Sequence, residues 1–155
     1  MLVACGSSTP ATPNVAPFRL TSGATAPCTA IMAALPRTLN GQPRVHSTGS
    51  TFGAAWGKPA IVLRCGVPEP AGFVQGIKNQ DGPPCQTVNG VDWYLTGEPP
   101  NDASSKVNIT VTTVFRDLAI ELSVPAHYGT QGPATAMALL TGVIKAHTRP
   151  TNHCL

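Results

Sequence analysis

Charge is scarce in this sequence. Acidic and basic residues together make 11% of its 155 positions, about half the usual share of a globular domain. The ten Lys and Arg are scattered, and no run of them would follow a phosphate backbone; nucleic-acid binding is therefore excluded as the main role. Aromatic residues are few as well: two Trp, two Tyr and four Phe. No stretch is long and apolar enough to span a membrane. Cys-x-x-Cys pairs are missing, which speaks against a metal centre, and no Gly-x-Ser-x-Gly elbow marks a hydrolase nucleophile. No cofactor is expected.

What the chain does have is proline, glycine and cysteine. Pro and Gly number 16 and 15, and there are five cysteines. Low charge, many Pro and Thr and several cysteines suit an extracytoplasmic protein helped by disulfides. The length suits one domain with a moderate core.

The N-terminus carries the strongest address. Leu2-Val3-Ala4-Cys5, followed by Gly6-Ser7-Ser8-Thr9, looks like the junction at which bacterial lipoproteins are cleaved and acylated on cysteine, so Cys5 is the expected lipidation site. An export signal needs a basic segment and an apolar segment of roughly 7 to 15 residues before its cleavage point. Only Met1 to Ala4 precede Cys5, so either the signal lies upstream of Met1 or the match is accidental. The Pro- and Thr-rich residues that follow have too few large apolar side chains to bury themselves, and they read as a solvated tether. The expected organisation is a lipobox and tether over residues 1–26, one domain over 27–147 and a tail over 148–155.

Setting Cys5 aside leaves Cys28, Cys65, Cys85 and Cys154 for two disulfides, with three possible pairings. The short separation of Cys65 and Cys85 favours that bridge. It leaves Cys28 with Cys154.

Several segments announce their local structure. Residues 27–35 are rich in helix formers and stop at Pro36, which predicts a short helix. The apolar run Ala60-Ile61-Val62-Leu63 predicts a buried strand; residues 67–84, rich in Pro and Gly, read as a long loop. Asn89-Gly90 between 85–88 and 91–95 predicts a hairpin with a type I′ turn. Alternation of Val107, Ile109 and Val111, and of Leu118, Ile120, Leu122 and Val124, predicts a second hairpin with one apolar face. Pro133 followed by Ala136, Leu139, Leu140, Val143 and Ile144 predicts a covering helix. The expected fold is α+β: a small, mostly antiparallel sheet of four to five strands, covered on one face by one or two helices.

Three stretches carry a family resemblance: residues 28–36, residues 54–68 with their Ala-Trp-Gly to Arg-Cys-Gly run, and residues 88–93 with Asn89-Gly90-Val91-Asp92-Trp93. Together they resemble an actinobacterial family known only as domain of unknown function 3515, over about residues 28–140. The resemblance implies an exported or membrane-anchored envelope protein, secreted or lipidated, with no established activity.

Chemical motifs mostly fail. The stretch from Gly53 to Pro59 is one residue short of a phosphate loop and has Pro59 where Ser or Thr should open a helix. Ser50, His46 and Asp92 make a triad only by selection. His147 and His153 beside Cys154 are weak metal ligands, and Asn108-Ile109-Thr110 is a glycosylation acceptor in the middle of a strand. The set to test as a binding surface is Trp56, Arg64, Trp93 and Tyr94: the rings offer stacking, and Arg64 offers a partner for a carboxylate or phosphate. Trp93 and Tyr94 point to opposite faces of one strand. The competing role for both tryptophans is to fill the core.

The expected function is a non-enzymatic binding or interaction module of the cell envelope, a peripheral membrane protein held by Cys5. Its partner would be an envelope protein, a lipid or a cell-wall component. The alternative is a small hydrolase or transferase acting on a cell-wall or lipid substrate, which would need convergent ionisable groups in one cleft.

Overall fold

The computed structural model of the chain describes residues 11–82, 84–96 and 107–154. In chain order these form β1 (Asn14–Val15), α1 (Thr25–Ala34), β2 (Thr38–Leu39), β3 (Gln42–Val45), β4 (Thr48–Gly49), β5 (Gly53–Trp56) and β6 (Ile61–Cys65). Then follow α2 (Ala71–Asn79), β7 (Cys85–Val88), β8 (Val91–Thr96), β9 (Ile109–Thr113), β10 (Ile120–Val124), a 3₁₀ turn (Ala126–Tyr128) and α3 (Gly132–His147).

Eight strands make one antiparallel sheet in the order β2-β3-β5-β6-β10-β9-β8-β7. The α+β class is as expected; the sheet is nearly twice as wide as the expected four to five strands. The added strands are short and lie in polar or Gly-rich sequence, where alternation is too brief to read. β2 and β3 join through Asn40 and Gly41, both at positive φ, as β7 and β8 join through Asn89 and Gly90. Asn-Gly supplies such angles at little strain. The second of these turns is the hairpin anticipated from sequence.

On one face lie α1 and α3. Their Cys28, Ile31, Ala136, Met137, Leu140 and Ile144 pack with Trp56, Leu63, Trp93, Val111 and Leu122 of the sheet. α1 starts two residues before Pro27, which sits in the first turn where its missing N–H costs nothing. Along α3 the buried stripe runs through Met137 rather than Leu139, which is 53% exposed.

The other face is not left to water. The segment 67–84, read as a loop, contains α2: its flanking prolines bracket a helix instead of preventing one. Pro70 stands at its N-cap, and Gln80 closes it in the left-handed conformation, its N–H reaching the carbonyls of Gly76 and Ile77. Phe73 is buried there, edge-on to Tyr94 and Phe115 at 5.7 and 5.0 Å between ring centres. Val15 of β1 is also fully buried, against Gly53 of the sheet. Packed structure thus reaches back into residues 11–26, read as tether. It also extends into the tail, where Asp117 N–H donates to Arg149 O and Thr151 N–H to Phe115 O.

The disulfides join Cys28 to Cys65 and Cys85 to Cys154. All four expected cysteines pair, but the expected partners, Cys65 with Cys85 and Cys28 with Cys154, are wrong. Cys65 ends β6 and Cys85 opens β7, four strand spacings away across the sheet. At about 4.8 Å per spacing they stand roughly 19 Å apart, far beyond the roughly 7 Å limit between Cα atoms of a bridged pair. Nearness in sequence misled because β9 and β10 insert between them.

Candidate functional site

The four residues singled out as a binding surface are not brought together. Trp56 on β5 is fully buried, its Nε1 donating to Pro36 O at 3.0 Å. Trp93 lies four strands away on β8 and is 1% exposed. Both fill the core under α1 and α3. Arg64 projects from the opposite face and is already engaged: Nε donates to Glu121 Oε1 at 2.8 Å, Nη2 approaches the same oxygen at 2.6 Å, and the Phe18 ring lies 5.3 Å from its Cζ. Tyr94 stands on that face too, packed on Phe73.

Ser50, His46 and Asp92 are likewise separated. β3, which runs up to His46, and β8, which carries Asp92, are five spacings apart, roughly 24 Å across the sheet. A hollow of about 500 Å³ beside Val45 and Lys58 includes His46 but neither Ser50 nor Asp92. Asp92 has structural work: Oδ1 accepts from Thr87 Oγ1 at 2.5 Å and Oδ2 from Cys154 N–H at 3.1 Å. Asn108 Oδ1 accepts from Ala126 N–H. Cys154 is spent in a disulfide and is no thiolate ligand for a metal beside His153. Among the described residues no cluster of three or more His, Cys, Asp or Glu could hold one. Gly53–Trp56 is a strand, with no helix opening after it to cradle a phosphate.

A second concavity lies beneath the start of α3. Its walls are Trp93 and Leu95 of β8, Ile109 and Val111 of β9, and Ala134 and Met137 of α3, enclosing about 450 Å³. That size falls within the range of small-molecule sites, about 300 to 1,000 Å³. Gln86, Thr130 and Gln131 supply the polar edge. No ionisable side chain lines it among the described residues, since Cys85 at its margin is oxidised. Trp93 Nε1 has no hydrogen-bond partner among the described residues, although it is buried.

Sequence reasoning reached Trp93 but for a surface, not for a cavity wall. Val111 and Ile109 were read as core alternation, and their place beside Met137 depends on how α3 crosses β8 and β9. Pro133 at the start of α3 was the one legible sign of where that helix begins, and hence of the cavity's roof.

No curated protein and no solved structure matches the chain. A family match does, over residues 2–152, and on that span the chain belongs to the family described as protein of unknown function (DUF3515).

Proposed function

We propose that the chain is a binding module of the cell envelope, working outside the cytoplasm and held to the membrane through acylated Cys5. The observation that carries the binding role is the neutral cavity between α3 and strands β8 and β9, apolar on its walls and edged by amide and hydroxyl groups. Such a site holds a ligand by burial and a few hydrogen bonds. Among the described residues that line it there is no nucleophile with a base and no pair of carboxyl groups, the minimum for hydrolysis or transfer.

The two disulfides support the compartment, because such bridges persist in oxidising surroundings. Among the described residues no helix is long and apolar enough to cross a membrane; the attachment rests on the Leu2-Val3-Ala4-Cys5 junction, which lies outside the described residues but within the family match.

Native mass spectrometry of the purified chain after incubation with a solubilised envelope fraction tests the binding role. A component retained and released unchanged is expected, and its conversion to product would overturn the reading. For the anchor, the chain expressed with its export signal should sediment with membranes and carry acyl mass on Cys5, while Cys5→Ser stays in the soluble fraction. Equal partitioning of the two would reject acylation.

A further inference from the structure

We infer that the cavity beneath α3 takes a single acyl chain whose carbonyl oxygen accepts a hydrogen bond from Trp93 Nε1–H. This rests on the binding-module reading and names the ligand class within it. Two independent observations meet at this spot. The first is the indole. Buried N–H groups almost always find a partner, as Trp56 Nε1 does on Pro36 O. Trp93 Nε1 has none among the described residues, and its ring forms part of the cavity wall.

The second is the start of α3. Gln131 stands at the N-cap of this 16-residue helix without any side-chain cap bond, and both Gln131 and Ala134 line the cavity. Gly132 N–H already donates to Gly129 O and Pro133 has no N–H, so Ala134 N–H is the first-turn donor left without a bond among the described residues, at the positive end of the helix. Both features ask for an acceptor oxygen.

The remaining lining decides what carries that oxygen. Among the described residues no cationic side chain lines the cavity, so there a phosphate or sulfate would find no counter-charge. Leu95, Ile109, Val111 and Met137 offer aliphatic wall where a sugar would need paired hydrogen bonds. An apolar tail ending in a carbonyl matches both ends. The indole nitrogen is itself buried, so a ligand in the cavity reaches it only when neighbouring side chains shift. Met137, unbranched and adaptable, is suited to give way.

The test uses the full chain labelled with ¹⁵N, whose two tryptophans give two indole N–H signals. Titration with decanoic acid and with methyl decanoate separates a free carboxylate from an ester-linked lipid as the natural source. Either probe should move the Trp93 indole proton downfield and leave that of Trp56 in place. Trp93→Phe should weaken the binding about tenfold, the weight of one net hydrogen bond. Ala134→Phe, which fills the rim and spares the indole, should block both probes while leaving the two indole N–H signals of a folded chain. If neither probe shifts Trp93, or if Ala134→Phe binds as the parent does, the acyl assignment is overturned. In that event an envelope component still retained unchanged would leave the binding module standing, whereas turnover of a component would remove the module reading by itself.

Discussion

The carboxylate of Asp92 receives the backbone N–H of Cys154 at 3.1 Å, joining strand β8 to the end of the chain 62 residues later. The same side chain takes the Thr87 hydroxyl from the neighbouring strand. One buried carboxylate thereby orients both the β7–β8 hairpin and the tail that the Cys85–Cys154 bridge fastens to β7. Arg116 reinforces the tail, donating to the hydroxyl and carbonyl oxygens of Thr148. Burial draws this guanidinium below its ordinary pKa, while Asp117 and Asp92 act to raise it.

Asp92→Ala removes both acceptor oxygens and leaves the Thr87 hydroxyl and the Cys154 N–H without their partner. Leaving one buried group unmatched costs about 1–3 kcal/mol. Urea unfolding should show a lower midpoint by that amount, with faster amide exchange at Cys154. An unchanged midpoint would mean that the tie between Asp92 and the tail contributes nothing.

The disulfides should divide their effects. Cys28 and Cys65 are both fully buried and tie α1 to the centre of the sheet across 37 residues. In the chain-entropy account, closing such a loop contributes about 4 kcal/mol, so Cys28→Ser with Cys65→Ser should lower unfolding free energy by about that much. The Cys85–Cys154 bridge closes 69 residues at the sheet edge. On the same account its removal costs at least as much, and it should in addition free the tail, seen as lost exchange protection at Thr151 N–H. Peptide mapping without reduction checks the pairing directly, and a peptide joining Cys65 to Cys85 would refute it.

Local features of the fold were legible where the chain states them in one place. Asn89-Gly90 gave its turn, the alternation about Leu122 gave its strand, and Pro133 gave the start of α3. What stayed hidden depends on partners distant in sequence. β5 is hard to read as a strand because Gly53, Ala54 and Ala55 are small where Val15 and the helices crowd the sheet. α2 hides among prolines because only Phe73 of its nine residues is buried. The cavity was least legible, since it is formed by a helix start and two strands from separate parts of the chain, and nothing in the residues near Trp93 says that its indole nitrogen goes unpaired.

Alkali should find a weak point at Tyr128. Its hydroxyl donates to Pro59 O at 2.7 Å, and burial raises its pKa above the ordinary 10.0. The unfolded chain releases this proton from about pH 10 while the folded chain still holds it. Stability from this group is therefore fully present below pH 10 and lost as pH rises through the folded value. Melting temperature should fall above pH 10, and Tyr128→Phe should flatten that fall while lowering stability slightly at neutral pH. An identical alkaline slope in the variant would clear Tyr128 of the effect.

The attachment of the N-terminal segment rests on one missing side chain. Gly53 faces Val15, and a Cβ built on it would overlap both γ-methyl carbons and the Cβ of that valine. Val15 is fully buried, and its carbonyl accepts from Ser50 N–H at 3.0 Å, so the segment has little room to retreat. Gly53→Ala should therefore cost about 1–3 kcal/mol by overpacking and expose residues 11–20 to limited proteolysis. Val15→Ala alone loses two buried methyl groups, yet in the Gly53→Ala background it removes both γ-carbon overlaps, the tightest among them, and leaves only the milder one with Cβ. A double-mutant cycle should then give a coupling of about 1 kcal/mol or more in the compensating direction. If the two changes merely add, β1 is not seated on β5 and the ordered domain begins later in the chain, near α1, leaving a longer free tether between it and Cys5.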